Sequence, residues 1–225
     1  MKFSARTIQI LKNFNQINQS IIFTPGNTIK TVSPMMTVMA KATIDETIPR
    51  SFAIFDLSRF LGVLSLFDDP EIDFSEKFLE IKSGKQKLSY QYADPSHIKA
   101  PPEKEIEIPT DNVEKILTAA TMQSVMKAVA VLQLPDIAFT GKDGNMFIEA
   151  IDTSPKSKAV GVSSDTFAIN IGETTKQFKV IVKPDNIKLL HGDYTLKISS
   201  KKVLYLQGPD VQYWIACEES SVYNG

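Results

Sequence analysis

The 225-residue chain repeats an order of elements on either side of a proline-rich break, and this repetition constrains the fold more than any single motif. The break is Ala93–Asn112, which holds four of the twelve prolines and little apolar periodicity beyond Ile106 and Ile108. Repeated proline interrupts helices and removes the N–H donors that a strand ladder needs, so an extended connector is expected. The expected organisation is a first domain over residues 1–92, a linker over 93–112 and a second domain over 113–225.

Within the first piece Phe52–Phe55 reads as a short strand, Asp56 as an N-cap and LSRFLGVLSLF as a helix. FLEIKSG and KLSYQYA follow as strands joined at Ser83-Gly84. In the second piece Phe178–Val182 reads as a strand, and Pro184-Asp185 opens a short helix, DNIKLLHG. DYTLKIS, KVLYLQG and VQYWIACE then alternate as strands. The two copies begin 126 residues apart, at Phe52 and Phe178. A second echo precedes each copy. A helix ending in Leu11–Ile17 leads into strand, turn and strand in SIIFTPGNTIKTV, and one ending in Met126–Leu132 leads into PDIAFTGKDGNMFIEAI. Both place Phe-Thr (Phe23-Thr24, Phe139-Thr140) directly before a glycine-containing turn. Two echoes in the same order point to internal duplication.

Charge gives opposite answers as a sum and as a pattern. Lys and Arg total 25 against 26 Asp and Glu, a net of −1, which by itself argues against a nucleic-acid binder. Along the chain, however, no acid precedes Asp45, while Lys2, Arg6, Lys12, Lys30 and Lys41 do. On a helical wheel, Met1–Asn18 places Phe3, Ile8, Ile10, Leu11, Phe14 and Ile17 on one side. Lys2, Arg6, Gln9, Lys12, Asn13 and Gln16 fall on the other. The remaining expected helices share this bias: Arg59 in the second, Lys115 and Lys127 in the third, Lys183 and Lys188 around the fourth. Acids gather between them, at Asp68, Asp69, Glu71, Asp73 and Glu76, at Glu103, Glu105 and Glu107, and at Glu218-Glu219. Four acid-poor basic faces suit a surface that meets phosphates through mobile point charges and reads no bases. The absence of aromatics on those faces argues against single-strand stacking platforms.

Other chemistries find little support. A single cysteine, Cys217, allows no intrachain disulfide and no cysteine-based zinc site; in an alternating strand its default is a buried structural thiol. The two histidines, His97 and His191, build no metal centre. The longest apolar run, Ala128–Leu132, is far too short to span a bilayer, and no leader pattern opens the chain. The acidic run at 68–76 lacks the spacing of a calcium loop, and Gly141-Lys142-Asp143-Gly144 lacks the helix of a phosphate loop. No catalytic residue, metal or cofactor is expected.

LKNFNQIN (Leu11–Asn18), AIFDLSRFLGVLSLFDDPEI (Ala53–Ile72) and ADPSHIKAP (Ala93–Pro101), with LQLPDIAFTGKDG and DNIKLLHGDYTL in order behind them, resemble the sliding clamps of T4-type bacteriophages, the DNA polymerase processivity factors. The resemblance implies an α+β fold of two similar DNA-clamp domains, with helices lining a ring of three copies and antiparallel sheets outside. It implies that Lys2, Arg6, Lys12, Arg59, Lys115, Lys127, Lys183 and Lys188 face encircled duplex DNA. It further implies a replicative DNA polymerase, an ATP-driven clamp loader, and a late-transcription sigma-like factor and co-activator as partners, in the cytoplasm of an infected bacterial host. Partner tails would dock near the linker, with Ile106, Ile108, Tyr213 and Trp214 as candidates; a core role for the last two is an equal alternative. Two rival readings stand beside it: a non-ring scaffold whose basic helices bind acidic protein or RNA, and a peripheral membrane protein using residues 1–18.

Overall fold

A computed structural model describes residues 1–102, 104, 106–109, 113–154 and 165–224. Glu103, Glu105 and the end of the expected linker (110–112) lie outside the described residues. The chain divides into two compact units, Met1–Lys104 with Asp210–Gln212, and Glu105–Pro209 with Tyr213–Gly225.

The first unit runs α1 (Ala5–Ile17), β1 (Ile21–Phe23), β2 (Gly26–Val32), β3 (Val38–Ile48), β4 (Phe52–Ile54), α2 (Leu57–Leu64), β5 (Glu71–Phe74), β6 (Phe78–Ser83) and β7 (Gln86–Gln91). Here β1 pairs with β4, β2 with β3, and β5-β6-β7 form an antiparallel meander. The second unit opens on β8 (Val113–Leu117), followed by α3 (Ala119–Leu132), β9 (Asp136–Lys142), β10 (Asn145–Ile151), β11 (Phe167–Glu173) and β12 (Phe178–Val182). A 3-10 turn (Pro184–Asn186) leads to β13 (Tyr194–Ile198), β14 (Val203–Gln207), β15 (Val211–Ala216) and β16 (Val222–Tyr223).

After β8 the second unit repeats the order of the first, except that a 3-10 turn stands in place of α2 and β16 is added at the end. The pairings repeat as well: β9 joins β12 as β1 joins β4, and β10 joins β11 as β2 joins β3. One ladder differs. β9 and β10 form a true hairpin, closed by Asp143 at φ 51° and Gly144 at φ 78°, the left-handed pair that a two-residue turn requires. The matching SIIFTPGNTIKTV segment is not a hairpin. β1 and β2 take different partners, because Pro25 offers no N–H and Gly26, at φ 113°, turns the chain away. On β9, Gly141 is required by a close approach, since a Cβ there would lie 2.4 Å from the Lys176 carbonyl oxygen and 2.5 Å from the Phe178 ring.

The helices start where their caps dictate. Ser4 Oγ accepts from the Thr7 amide (3.1 Å), so α1 begins at Ala5 and Lys2 precedes it. Asp56 caps α2 by accepting from the Arg59 amide (2.7 Å), and Thr118 caps α3 by accepting from that of Thr121 (3.2 Å). The expected fourth helix is absent: beyond the 3-10 turn, residues 187–190 carry no regular structure. So short a segment offers too little buried apolar surface to offset the entropy of nucleating a helix. The first unit is held by α1 and α2 packed on stacked rings, Phe23 on Phe52 at 4.5 Å, around buried Phe14, Phe60, Leu79 and Ile81. Each fully buried Phe contributes about 2–3 kcal/mol of transfer free energy.

Candidate nucleic-acid interface

None of the three α-helices contains an Asp or Glu. On α1 the exposed residues Ala5, Gln9, Lys12 and Gln16 recur at helical spacing and form one outward stripe. Asn13, which the wheel places with the polar set, is buried instead beside Ile10, Phe14 and Ile17. On α2, Leu57, Phe60 and Leu64 turn inward while Ser58, Arg59 and Gly62 face out. α3 is anchored by one fully buried residue, Val125, and exposes Gln123, Ser124, Lys127 and Val131.

The ion pairs sort the cations. Among the described residues Lys12, Arg59 and Lys127 pair with no carboxylate; the Arg59 guanidinium instead lies 6.0 Å from the centroid of the Tyr90 ring. Four lysines on the strands are paired with carboxylates across their ladders: Lys82 with Asp73 (2.5 Å), Lys87 with Glu80 (2.6 Å), Lys142 with Glu149 (3.6 Å) and Lys197 with Glu114 (3.1 Å). A cation held by an anion has little left for a phosphate, so these four strand lysines contribute little free positive field, whereas Lys12, Arg59 and Lys127 keep theirs.

The other five predicted positions are placed differently. Lys2 lies outside α1 and pairs with Asp69 and, at 4.0 Å, with Glu71; the Asp69 hydrogen bond raises its pKa. Arg6 is on α1 but grips Asp210 with two nitrogens, at 2.6 and 2.7 Å, and this holds the Asp210 carboxyl below its ordinary range. Lys115 sits on strand β8, not on a helix. It shares the inward face of Val113 and Leu117 and reaches along Gly172 of β11. Lys183 donates to Asp136 at 2.6 Å. Burial of Asp136 opposes its ionisation, but hydrogen bonds from Lys183 and Thr153 outweigh it and keep the carboxyl below the usual value; the same bond raises Lys183. Lys188 is half-buried on the irregular segment after the 3-10 turn. Sequence pattern alone missed Asp136 and Asp210, whose partners lie 47 and 204 residues away along the chain.

Of the four docking candidates, Ile106 and Ile108 are half-buried, whereas Tyr213 and Trp214 are only 0% and 4% exposed. The Tyr213 hydroxyl accepts from the Leu190 amide (3.1 Å), and the Trp214 indole donates to the Ile106 carbonyl (3.3 Å). Both rings therefore belong to the core of the second unit, and no surface remains on Tyr213 for a visiting peptide.

Residues 3–100 match the family DNA polymerase processivity factor, and residues 114–219 match the family gp45 sliding clamp, C terminal. The sliding clamp of Vibrio phage KVP40 is 34% identical over 224 residues, covering 97% of this chain and 99% of that one. The sliding clamp of Enterobacteria phage T4 is 33% identical over 230 residues, covering all of both. Proliferating cellular nuclear antigen from Entamoeba histolytica shares the fold with a TM-score of 0.70 at 12% identity, over 96% of this chain and 97% of that one. An acid-free set of helices with unpaired cations, two units of repeated topology and these likenesses lead to one conclusion: the chain belongs to the sliding-clamp family of T4-type bacteriophages, the DNA polymerase processivity factors.

Proposed function

We propose that three copies of this chain close into a ring around duplex DNA and that the ring holds a replicative polymerase at the primer end. The observation that carries this reading is the segregation of charge. Among the described residues Lys12, Arg59 and Lys127 pair with no carboxylate and stand on helices free of Asp and Glu, while Lys82, Lys87 and Lys142 on the strands are neutralised by carboxylates. Screened cation–phosphate attraction of this kind reads no sequence and lets a topologically trapped ring slide. Tethering raises the polymerase's effective concentration at its substrate without any new catalytic group. The chain itself contributes no catalysis and no cofactor in this reading.

Head-to-tail closure needs two different adhesive surfaces on each copy. The first unit offers the open edge of β7 with Phe55, 63% exposed, before α2. The second offers the open edge of β11, packed by α3, whose Val131 is 70% exposed. Ring opening falls to a separate ATP-driven loader, since the sequence has no nucleotide-binding loop. Late-transcription sigma-like and co-activator proteins share the ring, docking apolar tails beside Ile106 and Ile108. The setting is the cytoplasm of an infected bacterial cell. Light scattering at micromolar concentration is expected to give about 75 kDa, three times the 25.0 kDa of the chain. A persistent 25.0 kDa species would remove the ring.

A further inference from the structure

Two cavities occupy the same place in the two repeats. The first, about 190 Å³, lies between α1 and α2; Ile8 and Lys12 line it from α1, and Leu61, Leu64 and Ser65 from α2 and its end. The second, about 200 Å³, is lined by Met122 and Met126 of α3 and by Ile187, Leu190 and His191. The registers coincide. Ile8 and Met122 stand four residues after their N-caps, and Lys12 and Met126 eight after. Leu61, Leu64 and Ser65 stand nine, twelve and thirteen residues after Phe52, just as Ile187, Leu190 and His191 do after Phe178. A hollow that recurs at matched positions in two repeats with different side chains belongs to the repeated architecture and not to one accident of packing.

The two differ at their polar positions. Where the second has Met126, the first has Lys12, an exposed cation with no carboxylate partner among the described residues. Among the described residues no acidic side chain lines the first cavity, and Lys12 and Ser65 are the polar side chains that do. An apolar hollow bordered by one free cation is complementary to a small molecule with an apolar body and a single negative head.

We infer that the cavity between α1 and α2 binds a small, free amphipathic anion, a flat aromatic or short aliphatic carboxylate, with its body against Ile8, Leu61 and Leu64 and its head on Lys12. Occupancy would remove one free cation from the helix faces, a consequence that rests on the DNA reading above; the binding itself does not. The test is methyl NMR of the full chain labelled at Ile and Leu methyls, titrated with 2-naphthoate and separately with uncharged 2-naphthol. The expected result is saturable shifts confined to the methyls lining the cavity, with 2-naphthol binding about tenfold more weakly. Lys12→Gln, at an exposed site that leaves folding intact, should bring naphthoate down to the naphthol affinity and leave naphthol unchanged. Leu61→Trp, which fills the hollow, should abolish both. The inference is overturned if those methyls do not shift at millimolar naphthoate, if the shifts centre on other residues, or if Lys12→Gln leaves the preference for the anion intact.

Discussion

Asp136 is 1% exposed and carries its charge inside the second unit, on terms set by Lys183 and Thr153. Because its folded-state pKa lies below the ordinary value of 3.8, its contribution to stability is present above that value and is lost as pH falls through the depressed one. Asp136→Asn should therefore cost about 2 kcal/mol in urea denaturation at neutral pH, the scale of a truncated, partly buried charge pair. The gap between variant and parent should hold down to pH 5 and shrink below about pH 4. Cys217 is the complementary case: burial pushes its thiol up to about 12. At pH 8 it is neutral and a poor nucleophile, so iodoacetamide should leave the native chain unmodified yet alkylate it in urea. Residue chemistry of this kind was half legible in the sequence. Basic residues could be found by inspection and Cys217 read as structural. Whether Lys183 or Arg6 was free depended on acids far along the chain, which no local pattern encodes.

At the scale of elements, amphipathic stripes located α1, α2 and α3 and Asp56 was legible as a cap, whereas Ser4 and Thr118 start α1 and α3 later than the stripes alone placed them. The alternating runs found many of the strands, though not β5 or β16. Two further differences have physical reasons. The segment after Pro184 carries a helix-start signal but is too short to stabilise a helix, and it stops after one 3-10 turn. The strand β8 hides Lys115 in a segment that polarity alone attaches to the helix behind it. In the proposed interface, Lys12, Arg59 and Lys127 are the predicted cations that lie on α-helices and, among the described residues, pair with no carboxylate. Replacing all three by Glu should leave the folded fraction unchanged, since the three side chains are exposed. Polymerase run length at moderate salt should fall roughly tenfold or more as phosphate attraction becomes repulsion. Unaltered run length in that variant would take these residues off the DNA.

For the whole molecule, the net charge of −1 is a cancellation between helices without acids and strands and turns rich in them. A chain that is neutral in sum holds duplex DNA weakly in any open encounter, and in the proposed ring persistence comes from enclosure. The duplicated order of elements was visible in the sequence as two spaced echoes. What the sequence could not show is the pairing of β1 with β4, which needs the corner at Pro25-Gly26 to be seen in three dimensions. Enclosure is tested most directly by loading the protein onto a nicked circular duplex, linearising half of the sample with a restriction enzyme, and measuring retention by gel filtration. Retention on the circle and rapid loss from the linear form is the expected result; equal retention on both would contradict encirclement.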